Sequence, residues 1–312
     1  MKQNFNYLVA DFGLDSFEKE SEEGLRFIRD LGFSGVYPQD LFCVMDPKSG
    51  GKAVYSSPEE TIYARGEAGV REFRDAVRKE GLTMESAHFN QMLPPPGEPV
   101  DWIFESHDIL VQLAALAGLK RFTTHMGWMH GLTSLRYLGS SATDFSKGKI
   151  SLRQLHAEGR KRYGGLEAMV DDSVLVYRNL CDLAKAHDIT VTIETACIEA
   201  LEVNADAQAF LSFIERVDRE NLKVCLDPGH CQWNNVDPVE LSRALGDRIV
   251  EVHFHDNFGD EDSHLPVGQG SIPWEELIRA LESVDYAGNI TFEQRDHAAN
   301  QQFWKQLQNG LQ

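Results

Sequence analysis

The chain has 312 residues, 42% of them hydrophobic and 25% charged, and carries a formal charge of −19. Such a composition is ordinary for a soluble globular protein that buries a full core. The strong negative charge disfavours nucleic acid as a partner, because that affinity rests on neutralising phosphates with Lys and Arg. No apolar run approaches the roughly 20 residues needed to cross a bilayer.

The N-terminus lacks the basic-then-apolar pattern of a secretory signal. The five cysteines, Cys43, Cys181, Cys197, Cys225 and Cys231, are odd in number and scattered, with no Cys-x-x-Cys. They argue against a disulfide framework and for a reducing, cytoplasmic compartment.

Along the chain, strand-like apolar runs alternate with helical patterns. Tyr7–Ala10 is the first run, followed by an amphipathic stretch with Leu25, Ile28 and Leu31 that stops at Gly32. Gly35–Tyr37 is the second, and a helical pattern through Val70, Phe73 and Val77 ends at Gly81. The third run is Met84–Phe89. A Leu- and Ala-rich helix then starts near Asp101 and ends at Gly118, before the fourth run, Arg121–His125. Val174, Tyr177, Cys181 and Ala184 recur at helical spacing ahead of the fifth run, Ile189–Ile193. A helix carrying Phe210, Ile214 and Val217 precedes the sixth, Leu222–Leu226. Asp237-Pro238 then reads as a cap and first helical position. Ile249–Phe254 is the seventh run, Pro273-Trp274 opens the next helix, and Ile290–Phe292 is the eighth.

Continuous rather than alternating apolar runs suit parallel strands covered on both faces. Eight strand–helix repeats are the number that closes a barrel. The expected fold is therefore an α/β, single-domain (β/α)8 TIM barrel spanning 1–312. An open doubly wound sheet is the alternative, but its glycine-rich phosphate fingerprint is absent: Asp11-Phe12-Gly13-Leu14 follows the first run. Two stretches exceed ordinary loops. One is 41–65. The other is an insertion at about 126–165 after strand 4, carrying Lys147, Lys149, Arg153, Arg160, Lys161 and Arg162. It reads equally as a lid or as a solvated, oligomer-facing segment.

Chemistry in such barrels sits at the C-terminal ends of the strands. Run three contains His88, run four ends in His125, and run five is followed by Glu194. Run six is followed by Asp227, with His230 three residues on. Run seven contains His253, and His255 follows it. Run eight is followed by Glu293. Carboxylates gathered in one place need a compensating cation. Glu194, Asp227 and Glu293 offer hard oxygen donors and His253 an imidazole, a set that suits Mn2+, Zn2+, Co2+ or Mg2+. His255, Asp256 and Asn257 are read as neighbours or plain loop residues and are left outside the ligand set. Phe89, Trp128 and Trp233 offer candidate apolar walls.

From Val191 onward the chain carries Thr192-Ile193-Glu194-Thr195, Leu226-Asp227-Pro228-Gly229-His230, Val252-His253-Phe254-His255-Asp256, His264-Leu265-Pro266-Val267-Gly268-Gln269-Gly270 and Tyr286-Ala287-Gly288-Asn289-Ile290-Thr291-Phe292-Glu293. In this order and spacing they resemble the xylose isomerase-like barrel superfamily, which holds sugar isomerases and epimerases, inosose dehydratases and endonuclease IV. The resemblance to ketose 3-epimerases implies one metal on Glu194, Asp227, His253 and Glu293, with Glu194 and Glu293 as acid and base and His230 on substrate. An arginine those epimerases carry shortly after the metal histidine has no counterpart in 256–260. The resemblance to endonuclease IV implies three zinc ions on His88, His125, Glu194, Asp227, His230, His253, Asp262, His264 and Glu293.

The expectation is a metal-dependent isomerase or epimerase moving a proton next to the carbonyl of a sugar or polyol. His88, His125, His230, Asp262 and His264 would bind substrate. The alternatives are an inosose-type dehydratase on the same site, or a three-metal phosphodiesterase like endonuclease IV. The expected partners are a small carbohydrate and further copies of the chain, as a dimer or tetramer. No Lys or Arg flanks Gly268-Gln269-Gly270, which favours a substrate without phosphate.

Overall fold

The computed structural model describes residues 8–12, 17–38, 66–89, 93–94, 97–125, 139–195, 207–294 and 296–310. Strands β1 (Leu8–Phe12), β2 (Gly35–Pro38), β3 (Arg121–Thr124), β4 (Thr190–Glu194), β5 (Leu222–Leu226), β6 (Ile249–Phe254) and β7 (Asn289–Phe292) form one sheet. Every pairing is parallel and the order is β2-β1-β7-β6-β5-β4-β3.

The eighth expected strand, the third apolar run, lies between the two edges of that sheet but is not a continuous ladder. Val36 N–H donates to Thr83 O (2.9 Å) and His88 N–H to Pro38 O (3.3 Å) on the β2 side. On the β3 side Thr123 N–H donates to Ala87 O (3.0 Å) and Phe89 N–H to Thr123 O (2.7 Å). The segment therefore closes the (β/α)8 ring through two isolated bridges, Gly35–Thr83 and His88–Thr123. The interruption has a local cause. The successive amides of Lys120 and Arg121 both donate to Glu85 O, at 2.7 and 3.1 Å, which breaks the alternation that a regular ladder requires.

Helices α1 (Phe17–Leu31), α2 (Gly66–Lys79), α3 (Phe104–Ala117), α4 (Ser140–Ser146), α5 (Leu152–Tyr163), α6 (Leu166–Lys185), α7 (Ala207–Val217), α8 (Pro228–Trp233), α9 (Pro238–Leu245), α10 (Trp274–Ser283) and α11 (His297–Gly310) flank the strands. Neighbouring helices pack side by side, α2 on α3, α3 on α6, α6 on α7, α9 on α10 and α11 back on α1. The core between ring and helices is aliphatic and aromatic, with Phe73, Phe89, Phe122, Tyr177, Phe213, Phe254 and Phe292 fully buried. Phe89 stacks on Phe122 with centroids 4.8 Å apart, so it is a core residue and not a substrate wall.

The sequence punctuation acts as expected. Gly118 ends α3 at φ 84°, a conformation that costs glycine nothing. Asp237 caps α9 by accepting from Val239 N (2.8 Å), with Pro238 at the first helical position. Within the long segment after β3, residues 126–138 lie outside the described residues. The rest forms α4 and α5, and α5 is tied to α6 by Tyr163 Oη donating to Asp172 Oδ2 (2.6 Å). Two of its bases are paired locally, Lys149 with Asp144 (3.1 Å) and Arg162 with Glu158 (2.9 Å). Residues 41–65, Cys43, Cys197 and Trp128 also lie outside the described residues. Cys181, Cys225 and Cys231 are free and buried. Among the described residues no helix is long and apolar enough to cross a membrane.

His107 on α3 is completely buried, and burial pushes its pKa down to about 4, with Asn179 partly opposing the shift. The folded chain thus keeps this ring neutral where the unfolded chain binds a proton. Its contribution to stability is present above about pH 6.5 and is lost as the pH falls toward about 4. Between pH 7 and 5 wild type is expected to lose about 2 kcal/mol more than His107→Leu. Urea unfolding of both proteins at each pH measures the difference, and parallel curves would refute it.

Candidate metal centre

The strand ends deliver their polar side chains to one mouth of the barrel. Glu194 is the last residue of β4, Glu293 directly follows β7, and His125 directly follows β3. Asp227 follows β5 and also caps α8: His230 N–H donates to its Oδ1 (2.8 Å), and Pro228 occupies the first helical position. That cap places the His230 ring beside the aspartate that positions it. His253 lies within β6, with Glu251 two residues before it on the same face of the strand.

All nine residues singled out from sequence converge here. His88 Nε2 and His125 Nε2 lie 3.3 and 3.0 Å from Glu194 Oε2, and 3.1 Å from each other. His230 Nδ1 and His253 Nδ1 lie 3.1 and 3.3 Å from Glu194 Oε1. His253 Nδ1 is also 3.1 Å from Glu293 Oε1. His230 Nε2 and His264 Nε2 each lie 3.4 Å from Asp262 Oδ2. His264 Nδ1 is held by the Glu293 carbonyl at 2.9 Å, and its backbone takes a positive φ of 44°.

These groups, with His255, fall into three sets, in each of which the ligand atoms lie within 4.8 Å of one another: Glu194, Asp227, His253 and Glu293; His88, His125 and Glu194, which shares Glu194 with the first; and His230, His255, Asp262 and His264. The first set is the four-residue set expected from sequence. Glu194 Oε1, His253 Nδ1 and Glu293 Oε1 are buried without a well-aligned hydrogen bond, although His253 Nδ1 lies 3.3 and 3.1 Å from the two carboxylate oxygens. Together with an oxygen of Asp227 they lie within 4.8 Å of one another, close enough for one ion to reach all four. Their residue types suit a divalent ion with mixed oxygen and nitrogen ligands.

The electrostatics agree. Burial opposes charge on Glu194, yet the imidazoles of His253 and His125 outweigh it and hold this carboxyl well below the usual range. Glu293 is likewise lowered, against burial, chiefly by His253. Burial disfavours a charged His253, but Cys225, Glu293, Tyr37 and Glu194 together push its pKa well above the ordinary value. Burial opposes charge on Asp262 too, and hydrogen bonds from His230 and His264 keep it ionised. In each case the acids draw positive charge inward.

Two residues left aside in the sequence reading have definite places. His255 Nε2 lies 3.0 Å from Asp227 Oδ2, and its ring stacks on His264 with centroids 3.7 Å apart and planes 4° from parallel. The i, i+2 spacing from His253 was the signal that it shares that face. Asp256 faces away from the mouth and clamps the following loop. It accepts from Gly268 N (2.9 Å), Ile272 N (3.3 Å) and Trp274 Nε1 (2.8 Å). It thereby anchors the loop that carries Asp262 and His264. Trp233 ends α8 and is half-buried.

The comparisons agree with this architecture. The family model described as the xylose isomerase-like TIM barrel matches residues 25–311, and the chain belongs to that family. An uncharacterized protein of Sinorhizobium fredii is 24% identical over 291 residues, covering 88% of this chain and 83% of its own length. The D-psicose 3-epimerase of Enterocloster bolteae is 27% identical over 126 residues, 39% of this chain, and the match spans only about 40% of that enzyme. Among solved structures, the 3-keto-D-glucoside 4-epimerase of E. coli superposes with a TM-score of 0.65 at 14% identity, covering 97% of this chain and 99% of that one.

Gly229 is required here by close approach. A Cβ at this position would sit 2.1 Å from His255 Cε1. Helix propensity alone favours Ala over Gly, so Gly229→Ala should stabilise α8 if packing were indifferent. The expected result is instead a loss of about 1–3 kcal/mol, the cost of overpacking. Thermal unfolding of G229A checks this, and a melting point equal to or above that of wild type would contradict it.

Proposed function

We propose that this chain is a divalent-metal-dependent epimerase or isomerase of a small sugar or polyol. The observation that carries the reading is the pair Glu194 and Glu293, two buried carboxylates that approach the same imidazole nitrogen, His253 Nδ1, from β4 and β7 at 3.3 and 3.1 Å. Mere sugar binding needs no such pair. Sugar epimerases among the relatives and the similar structures support the reading.

Glu194, Asp227, His253 and Glu293 would hold the ion. When bound, it supplies Lewis-acid polarisation of the carbonyl and a neighbouring hydroxyl. Both glutamates are held ionised, so the first act open to either is to accept a proton from the carbon beside the carbonyl. Returning a proton to the opposite face requires that the second carboxylate first receive one. His88 and His125, 3.3 and 3.0 Å from Glu194 Oε2, are placed to relay protons at that glutamate. His230, Asp262 and His264 adjoin this set and are assigned to substrate hydroxyls. If a hydroxyl sits beta to the carbonyl, loss of that group from the same carbanion gives dehydration, the inosose-type outcome. Ion identity is assigned to the group Mn2+, Zn2+, Co2+ and Mg2+.

Metal-loaded protein turning over a panel of ketoses in deuterated water should place deuterium on the reacting carbon. Glu194→Gln and Glu293→Gln should each lower the rate by about 10²–10⁴-fold, the range for lost general acid–base catalysis. No deuterium uptake by wild type across the panel would defeat the proposal.

A second reading, phosphodiester hydrolysis as in endonuclease IV, is favoured by one observation: the nine residues, joined by His255, fall into three sets of possible ligands. The net charge of −19 opposes it. So does the local pairing of Lys149 with Asp144 and of Arg162 with Glu158. Metal analysis of the purified chain discriminates. The epimerase reading expects about one tightly held ion, whereas three ions together with nicking of an abasic duplex would replace it.

A further inference from the structure

Below the cation-facing carboxylates, the barrel interior holds another acid. Glu251 lies on β6 two residues before His253, is completely buried, and points to the same face of the sheet. Its Oε1 accepts from Ser86 Oγ (2.5 Å) and Thr291 Oγ1 (3.2 Å), and its Oε2 from Thr123 Oγ1 (3.4 Å). Arg121 Nε, from the start of β3, lies 3.3 Å from Oε2 and compensates the charge. A carboxylate this deep, anchored from the closing segment, β3 and β7, is rigidly placed.

Its remaining neighbour is His253. Glu251 Oε1 lies 4.0 Å from His253 Nε2, whereas Nδ1 of the same ring faces Glu194 and Glu293. Nε2 is buried and has no well-aligned hydrogen-bond partner. The other groups against the ring are Tyr37, edge-on with centroids 4.9 Å apart, and Cys225. Neither of these groups is a carboxylate. Glu251 is thus the carboxylate that stands on the Nε2 side. A carboxylate there favours the proton on Nε2 and leaves the Nδ1 lone pair for a cation, which is how acids behind ligating histidines set the tautomer and orient the ring.

We propose that Glu251 is a positioning residue that commits His253 to Nδ1 ligation by holding a proton on Nε2. The proposal rests on the cation reading of Glu194, Asp227, His253 and Glu293. Its competitor is a purely structural role, in which Glu251 serves only as the counter-ion of Arg121 and the acceptor for Ser86.

The test measures Mn2+ affinity by titration of the purified full-length chain, together with the His253 Nε2–H resonance of the Zn2+-loaded protein by ¹⁵N-edited NMR. Glu251→Gln keeps the shape and removes the charge. It should weaken Mn2+ binding by about 10–100-fold and shift the Nε2–H resonance or lose it to fast solvent exchange. Ser86→Ala loosens the same packing but retains the charge, and should stay within about threefold of wild type with the resonance in place. The variant carrying both Glu251→Gln and Arg121→Met removes the two charges together. It keeps the test valid if the single variant does not fold, and it should show the same weakened binding. Affinity within threefold of wild type with an unchanged resonance in either Glu251 variant, or an equal loss in Ser86→Ala, would overturn the proposal while leaving the cation reading intact. A wild-type chain that takes up no Mn2+ or Zn2+ would overturn both.

Discussion

Bringing several ionised carboxylates into one water-poor space raises their mutual repulsion steeply, and the barrel mouth of this protein does so from four different places in the chain. Glu194, Asp227 and Glu293 are buried at strand ends, and Asp262 reaches in from the loop after β6. The fold tolerates this because each acid meets an imidazole at 3.0–3.5 Å. In the absence of an ion, protons on those rings supply the compensating charge, which is why the carboxyls of Glu194, Glu293 and Asp262 are lowered and the rings of His253 and His264 raised. A divalent cation would meet the same electrostatic demand, since donor atoms of Glu194, Asp227, His253 and Glu293 lie within 4.8 Å of one another.

The surrounding structure serves that convergence. Parallel strands all end at one face, so residues at the ends of β3, β4, β5, β6 and β7 have no choice but to meet. Local devices refine the placement. The Asp227 cap on α8 sets His230, and the absent side chain of Gly229 admits the His255 ring. Asp256 grips 268–274 and thereby holds the loop bearing Asp262 and His264. Below the mouth the interior is still polar, with Glu251, Arg121, Thr123, Thr192 and Thr291 interlinked. A polar layer of that kind is stable only when its members are mutually satisfied, and it forms a stiff floor for the ligands above.

Membership of the xylose isomerase-like family constrains the chemistry without choosing it. The two readings proposed for this mouth are proton transfer beside a carbonyl with one ion, and hydrolysis with three. The distinction lies in how many of the imidazoles face metal and how many face substrate hydroxyls. Here Glu194 belongs to two of the three ligand sets, so the occupancy of one set alters the electrostatics of the next.

Much of this was legible along the chain. Apolar runs bounded by Gly, Asp and Pro marked the alternation of strand and helix. Because a barrel aligns its strand ends, the residue after each run identified the mouth before any coordinate was known. His88, His125, Glu194, Asp227, His230, His253, Asp262, His264 and Glu293 were all found in that way or through the family resemblance, and the structure brings all of them together. What linear order could not decide were quantities that arise only when segments far apart in sequence touch. The third run forms bridges rather than a ladder because the successive amides of Lys120 and Arg121, at the start of β3, both bind Glu85 O. His255 joins the cluster because Gly229 makes room for it, and Phe89 is core because Phe122 stacks on it. Asp256 turns away because Trp274 and two backbone amides claim its oxygens. Period and composition dictate which face a side chain points to, but which partner waits there is decided by packing in three dimensions.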